Sequence, residues 1–365
     1  MNDKLTLKSV DVRAVVVPLR RPVVSKVGLF NEWPMILIDL HTAGGVVGRS
    51  YLEPYLKHSM RYIAPAIRDL AAMCVGKNLS PIENFDANRR ALNLVGYQGV
   101  AAIAVAGLDM ALWDALAKAA GLPLAVLLGG SLGSVPAYNS NGLWLSDVGT
   151  LADEAAALVE EGGFGALKLR LGRDRLADDL SAIREVRKGA GEDIKLMVDF
   201  NQGLSLADAL VRCHALDGQG LAWFEEPIVY DNLPGYAQLT RELATPVQLG
   251  ENFYGPRDLA AAIRIGAGDL VMPDMMRIGG VSGWLRSAPL AAANGIQIST
   301  HLYPEVSAHL LRISETAHWL EWQDWADPIL EEPFSVKAGR FEIPDRPGSG
   351  VAWNEAAVTR YRVDC

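Results

Sequence analysis

The chain predicts an α/β fold, a closed barrel of eight parallel strands preceded by a smaller domain, and three observations carry that reading. After Leu127–Gly130, short apolar runs alternate with alanine-rich helical stretches, the pattern of a parallel sheet assembled from β/α units. Eight such runs occur, near Val135–Tyr138, Ala166–Leu171, Ile194–Phe200, Leu221–Phe224, Val247–Leu249, Leu270–Met272, Ile296–Ser299 and Trp319–Leu320. Just past three consecutive runs stand Asp199, Glu225 and Glu251, each 26 residues from the next. Eight parallel strands close naturally into a barrel whose chemistry sits at the C-terminal strand ends. A flat doubly wound sheet is the alternative.

The N-terminal elements have a different character. Val10–Val17 and Met35–Leu40 are rich in β-branched and aliphatic residues and are bounded by Pro18, Pro34 and Gly44-Gly45, which predicts strands of an antiparallel sheet. Between Ile63 and Ala120 the pattern turns helical. Its clearest stretch is Val105–Ala119, with Leu108, Leu112, Ala115, Leu116 and Ala119 on one face and Gly121 and Pro123 as the stop. Residues 1–130 therefore read as one domain and 131–326 as the barrel. The tail, 327–365, loses the alternation and carries Pro328, Pro333, Pro344 and Pro347, so it is expected to pack back on the N-terminal domain rather than extend the barrel.

Composition removes several classes of function. With 365 residues and 50% hydrophobic content the chain can bury a large core. A net charge of -9 without any Lys/Arg block argues against a nucleic-acid or anionic-membrane partner, which requires clustered positive charge. Cys74, Cys213 and Cys365 show neither metal-ligand spacing nor a disulfide framework, consistent with a reducing, cytoplasmic setting. The opening MNDKLTLKSVDV has no apolar signal-peptide core, and no uncharged apolar stretch reaches the roughly 18 residues of a membrane span, so export and insertion are not expected.

Chemistry concentrates at the strand ends. Oxygen-only ligands from Asp199, Glu225 and Glu251 suit a hard cation, Mg2+ rather than Zn2+, shared with oxygens of an anionic substrate. In Lys168-Leu169-Arg170 the period-two alternation of a strand points both cations the same way, into the barrel mouth, where they would greet a carboxylate. Asp274, in MPD, and His301, in STH 27 residues later, pair as an oriented general base. Glu321 ends the last strand and would donate a proton if burial kept it neutral. Asn201, two residues past Asp199, would support a ligand, whereas Glu226 is expected to point away from the site. His41, His58, His214, His309 and His318 lack such partners and read as surface or packing residues.

These residues, with the segments ILIDL, GLDMALWDALAKAAGLPLAVLLGG, MVDFNQ, WFEEP, GEN, MPDMMRIGG and AHWLE, resemble the mandelate racemase subgroup of the enolase superfamily over nearly the whole chain. The resemblance implies a modified TIM barrel of the (β/α)7β type under an α+β capping domain, with Mg2+ on Asp199, Glu225 and Glu251. It implies that Lys168 contacts the substrate carboxylate, that His301 with Asp274 is the base for one face, and that Glu321 hydrogen-bonds the carboxylate. Ser140 would lie near that carboxylate, and a cap loop over 23–32, with Val27 and Phe30, would close over the substrate beside Tyr55. A homo-octamer is implied as well.

Two departures redirect the function. Where mandelate racemase has a second Lys as base on the opposite face, this chain has Arg170; using Arg as a base adds at least roughly 3 kcal/mol, because its pKa lies two or more units above that of Lys. Lys26, Phe30, Glu53 and Gln323 also read as more polar or bulkier than an aryl pocket would require. The expected chemistry is abstraction of the proton α to a carboxylate through an enediolate, followed by dehydration of a hydroxylated, sugar-type acid. Racemisation or epimerisation of a 2-hydroxy acid is the alternative, and a catalytically silent acid-binding barrel a third.

Overall fold

The computed structural model describes residues 5–365. Leu7–Ser25 (β1) and Gly28–Thr42 (β2) form a long antiparallel hairpin, and Val47–Leu52 (β3) extends the sheet on the far side of β2. The strands outrun the apolar cores that predicted them. Val23 pairs with Phe30, Val24 with Leu29 and Ser25 with Gly28, so the predicted cap loop is the tip of a β-hairpin. Its ladder bonds fix a segment that composition alone leaves open.

Helices Met60–Ala72 (α1) and Val100–Ala120 (α3) pack on this sheet, and Pro81–Ala91 (α2) packs on α3. α3 ends where expected, at Gly121 in the left-handed region, but starts five residues before Val105. Residues 100–104 are apolar without interruption and show no period to read, because the helix is buried nearly all round. By length and composition α3 is apolar enough to cross a membrane, yet here it is the core helix. A Cβ at Gly107 would come within 2.6 Å of Ile38 Cδ1, so only glycine lets the helix approach β2 so closely. Its acidic residues are fasteners: Asp109 accepts from Ser282 N–H at 2.8 Å and Oγ–H at 2.5 Å, and Asp114 accepts from Ser349 N–H at 2.7 Å.

The barrel consists of Ser134–Asn139 (β4), Ala166–Arg170 (β5), Lys195–Asp199 (β6), Phe224–Glu225 (β7), Val247–Leu249 (β8), Leu270–Val271 (β9), Gln297–Ile298 (β10) and Leu320–Trp322 (β11). Neighbours pair in parallel from β4 to β10, and β11 pairs in parallel with β4. Ile298 N–H donates to Thr316 O and His318 N–H to Ile298 O, stitching β10 to the approach of β11 and closing the ring. A helix follows each of the first seven strands, which makes the fold a (β/α)7β barrel.

Tyr138, Ala166, Met197, Trp223 and Leu270 form an apolar cluster separate from the main core. Ala166, Met197 and Trp223 each lie two residues before Lys168, Asp199 and Glu225, so strand alternation puts apolar plug and polar site on the same inner side. The plug takes the lower level and leaves the polar groups the C-terminal mouth.

The tail packs back on the N-terminal domain, as expected: Arg362–Val363 pairs with β1, Trp353 Nε1–H donates to Asp39 Oδ1 at 2.9 Å, and the helix Glu355–Tyr361 lies against β1. Val336–Lys337 and Arg340–Glu342 form a hairpin whose second strand pairs antiparallel with β4, so the tail also adds to the barrel sheet. The proline-rich composition hid this hairpin, whose partner strand in the barrel is distant in sequence.

His309, read as a packing residue, is one. It is fully buried, and its Nδ1 accepts Ala125 N–H at 3.1 Å, which requires the neutral ring. Burial holds its pKa down at about 4. The folded value lies below the unfolded one near 6.5, so this contribution is intact above about pH 6.5 and is lost as pH falls towards 4, up to about 3 kcal/mol. Urea unfolding of wild type and His309→Gln should give a stability difference that shrinks between pH 7 and 4; a constant difference would exclude this linkage.

Candidate active site

The mouth of the barrel holds a cavity of about 260 Å3 with two unlike walls. Its floor is polar and comes from the strand ends, including Lys168, Arg170, Asp199, Glu251 and His301. Its roof is aromatic, with Phe30, Trp33, Tyr55 and Trp325. Trp33 organises that roof, edge-on to Phe30 at 5.9 Å and to Tyr55 at 5.5 Å, and tilted on Trp325 at 4.2 Å between centroids. The β1–β2 hairpin is tied across the mouth by Leu145 N–H donating to Val24 O at 2.8 Å.

Strand alternation on β5 delivers both cations inward, as the Lys-x-Arg spacing predicts. Lys168 Nζ lies 2.6 Å from Glu225 Oε1, 2.6 Å from Glu321 Oε1 and 3.7 Å from Asp199 Oδ2. Burial favours the neutral amine, but Glu225 and Glu321 outweigh it and raise the pKa above the ordinary lysine value, so Lys168 is a fixed ammonium. Arg170 donates from Nη2 to Ser140 Oγ at 2.8 Å and from Nη1 to Ser140 O at 3.2 Å, and its Cζ lies 3.8 Å from the centre of the Trp144 ring. Ser140 is fully buried between Arg170 and Glu321 Oε1, to which its hydroxyl donates at 2.8 Å; it buttresses those two rather than lining the cavity.

The carboxylates separate into distinct environments. β6 ends at Asp199, and Asn201 and Gln202 follow with left-handed φ of 45° and 61°. That turn, rather than strand alternation, folds Asn201 back, so that its N–H reaches Asp199 Oδ1 at 2.7 Å and its amide reaches Oδ2 at 2.8 Å. Glu225 is fully buried between Lys168 and the Trp223 indole, which donates at 2.9 Å. Burial pushes its pKa up to about 8 against the pull of Lys168, with Asp199, Glu321 and Glu251 adding to the rise.

Glu226 does not point away from the site. β7 is only two residues long, and the positive φ of 37° at Glu226 breaks the alternation, so its carboxylate lines the cavity and accepts from Asn252 Nδ2 at 2.9 and 3.0 Å. Burial, then Glu251, hold its pKa well above the usual carboxylate range.

Glu251 follows Gly250, whose φ of 126° only glycine adopts freely. Its Oε2 lies 3.3 Å from His301 Nε2. Among the described residues no three His, Cys, Asp or Glu side chains stand together as ligands of one ion. Glu225 is held by Lys168 and Trp223, while Asp199 and Glu251 beside it face the cavity. The donor set still fits a hard divalent cation. Asp199, Glu225, Glu226 and Glu251 are all oxygen donors, and after burial it is the neighbouring carboxylates that raise Glu225 and Glu226, a repulsion that a cation would offset.

The His–Asp pair is in place. Pro273 and Asp274 follow β9, and Asp274 divides its carboxylate: Oδ1 accepts Met276 N–H at 2.8 Å, while Oδ2 lies 2.8 Å from His301 Nδ1. That contact puts a proton on Nδ1 and turns Nε2 towards the cavity, 3.3 Å from Glu251 and 3.9 Å from Glu321. Burial would lower the imidazole pKa, but Glu251, Glu321 and Asp274 together raise it to about 10.

Glu321 is not the neutral acid its burial suggested. Burial alone would raise it, yet Lys168, His301 and Arg170 hold it down at about 2, and Oε2 accepts Leu302 N–H at 2.9 Å. It is an anion that anchors Lys168 and Ser140.

Of the cap residues, Tyr55, Val27 and Phe30 line the cavity. Lys26 and Glu53 do not: the Lys26 stem lies over Gly172 and Gly203, and Glu53 is buried beneath. The roof is therefore more aromatic than those two residues suggested. Sequence reasoning missed Trp33, Trp144, Trp325, Asn252 and Arg277. Arg277 donates from Nη1 to Tyr55 OH at 3.2 Å and to Glu251 O at 3.0 Å. Asn252 was visible in GEN and Arg277 in MPDMMR, but the tryptophans come from a cap strand and two barrel loops with no periodic signal.

A capped barrel with a buried ammonium, a His–Asp pair and crowded carboxylates at its C-terminal mouth is an enzyme of the enolase class. The chain belongs to the mandelate racemase/muconate lactonizing enzyme family: residues 8–129 match the mandelate racemase / muconate lactonizing enzyme N-terminal domain, and residues 150–357 match the enolase C-terminal domain-like family. It is 35% identical over 271 residues to the L-talarate/galactarate dehydratase of Salmonella typhimurium, spanning 74% of this chain and 68% of that one. Among solved structures it is similar to an enolase from alpha proteobacterium bal199 with bound magnesium, at 53% identity and a TM-score of 0.96, over 98% of this chain and 99% of that one. An enolase from Bradyrhizobium complexed with magnesium and mandelic acid matches at 41% identity and a TM-score of 0.95, over 100% of both chains.

Proposed function

We propose that this enzyme abstracts the proton α to a carboxylate and dehydrates a hydroxylated, sugar-type acid to a 2-keto acid. The observation that carries the reading is the 2.8 Å His301–Asp274 contact, which presents Nε2 to the cavity while the other candidate position holds Arg170, a residue that resists deprotonation. Kinship with a dehydratase of talarate and galactarate supports the substrate class.

Asp199, Glu225 and Glu251 are the residues that would hold Mg2+, as the oxygen-only donor set favours. Such an ion supplies Lewis-acid charge against the negative charge that develops on the substrate carboxylate. Lys168 and Arg170 add fixed positive charge there. Were Glu251 engaged as a ligand, the largest of the contributions that hold the proton on His301 would be withdrawn, leaving the imidazole a base nearer neutrality. The Cα–H bond then breaks with its proton going to Nε2. Protonated His301 returns that proton to the departing β-hydroxyl, which leaves as water, and the resulting enol tautomerises to the keto acid.

Incubating the protein and Mg2+ with a panel of acid sugars and mandelate-like acids should yield 2-keto acid from the former. Chelation should abolish the product, and added Mg2+ should restore it. Optical-rotation change without keto acid would overturn dehydration, and turnover untouched by chelator would overturn the metal assignment.

The aromatic roof favours a second reading, racemisation or epimerisation of a 2-hydroxy acid with an apolar substituent, and the Bradyrhizobium neighbour with mandelic acid points the same way. The same panel decides between them.

We also infer a homo-oligomer, an octamer, in the cytoplasm. The exposed apolar side chains Met73, at the end of α1, and Leu94 and Val95, in the turn between α2 and α3, support assembly, and the free cysteines suit a reducing compartment. Multi-angle light scattering should give about eight times the 39.4 kDa chain mass; a monomer would refute it.

A further inference from the structure

We propose that Trp144 and Gln323 form a donor–acceptor pair that reads a substrate hydroxyl beyond the reacting carbons, an inference that rests on the hydroxylated-acid reading above. Both residues line the cavity, and both are almost fully buried, at 5% and 4% exposure. Each carries a buried polar atom without a partner: the indole Nε1–H of Trp144 and the amide Oε1 of Gln323.

Their orientation is set by neighbours already in the site. Gln323 spends its amide nitrogen on Ser140, donating to Oγ at 3.2 Å and O at 3.4 Å, which leaves its carbonyl oxygen as the free end. Trp144 is clamped between the Arg170 guanidinium, 3.8 Å from its ring centre, and Trp325, stacked at 6.4 Å. Ser140 and Arg170 are themselves bonded at 2.8 Å, so the two orphaned atoms belong to one rigid unit built on the loops after β4 and β11.

An unpaired donor and an unpaired acceptor in one wall are the complement of a hydroxyl, which accepts one hydrogen bond and gives another. Buried polar groups left unsatisfied are costly, and a ligand that satisfies both is favoured over one that leaves both empty. A phenyl or methyl substituent would leave them empty. This pair therefore gives the otherwise aromatic surroundings their preference for a hydroxylated chain.

The test compares Gln323→Met and Trp144→Phe with wild type, all loaded with Mg2+. The substrates are an acid sugar that the wild type turns over and its monodeoxy analogues lacking a single hydroxyl beyond C3. For one position the wild-type ratio of kcat/KM, hydroxylated over deoxy, should be large, and each variant should reduce that ratio about tenfold or more. A ratio that stays at the wild-type value in both variants, even if both rates fall, makes the pair structural and overturns the proposal. Calorimetric Kd values for the same acid pairs report the same ratio without turnover. An enzyme that binds with the predicted discrimination but forms no keto acid would sink the dehydration reading and leave the pair standing; binding without discrimination would sink the pair.

Discussion

His301→Asn is expected to lower α-proton exchange by about 10³-fold while leaving the fold intact. The argument is geometric. Asp274 fixes Nδ1 at 2.8 Å, and its other oxygen is committed to Met276 N–H, so the ring cannot rotate without leaving a buried carboxylate unsatisfied. An Asn amide keeps a donor for Asp274 but has no basic nitrogen to offer the cavity. Proton NMR of an acid substrate in D2O would follow loss of the α-proton signal, with circular dichroism as the control for folding. Exchange at the wild-type rate in a folded variant would remove His301 from its role.

Lys168→Met should be as damaging to activity and more damaging to stability. The ammonium is wholly buried between Glu225 and Glu321, each at 2.6 Å. Removing one member of a buried ion cluster leaves Glu321 charged and short of its main partner, which costs about 3–5 kcal/mol. Thermal unfolding should show a matching drop, reduced when Mg2+ is added because bound cation repays part of the lost positive charge. Activity should not return with the metal, since the positive charge facing the substrate carboxylate is still missing. Unchanged stability without metal would mean that Glu225 and Glu321 adjust by taking up protons, and the fixed-ammonium description would fail.

The site was unevenly legible. Lys168 and Arg170 were readable because they sit inside a regular strand, where period-two alternation is enforced by the ladder to β6. His301 and Asp274 were readable because both stand just beyond strand ends in short polar punctuation. Glu226 was misjudged because alternation was extended past the last residue of a strand, where a positive φ re-aims the side chain; Asn201 supports Asp199 as expected, but through such a turn rather than through alternation. Glu321 was misjudged because burial was counted without the three cations that surround it. The roof was least legible: Trp33, Trp144 and Trp325 arrive from a cap strand and two barrel loops far apart in the chain.

Local pattern by itself determined the number and order of the barrel strands, the buried helix α3 and the pairing of His301 with Asp274. These follow from hydrophobic periodicity and from residue types at strand ends, which depend on near neighbours. Only the tertiary structure decided which carboxylates face the cavity, which protonation states burial and neighbouring charges enforce, and that the cap closes the mouth with aromatic rings. Those outcomes depend on distances between groups remote in sequence, and field strength, dielectric and packing are functions of such distances alone.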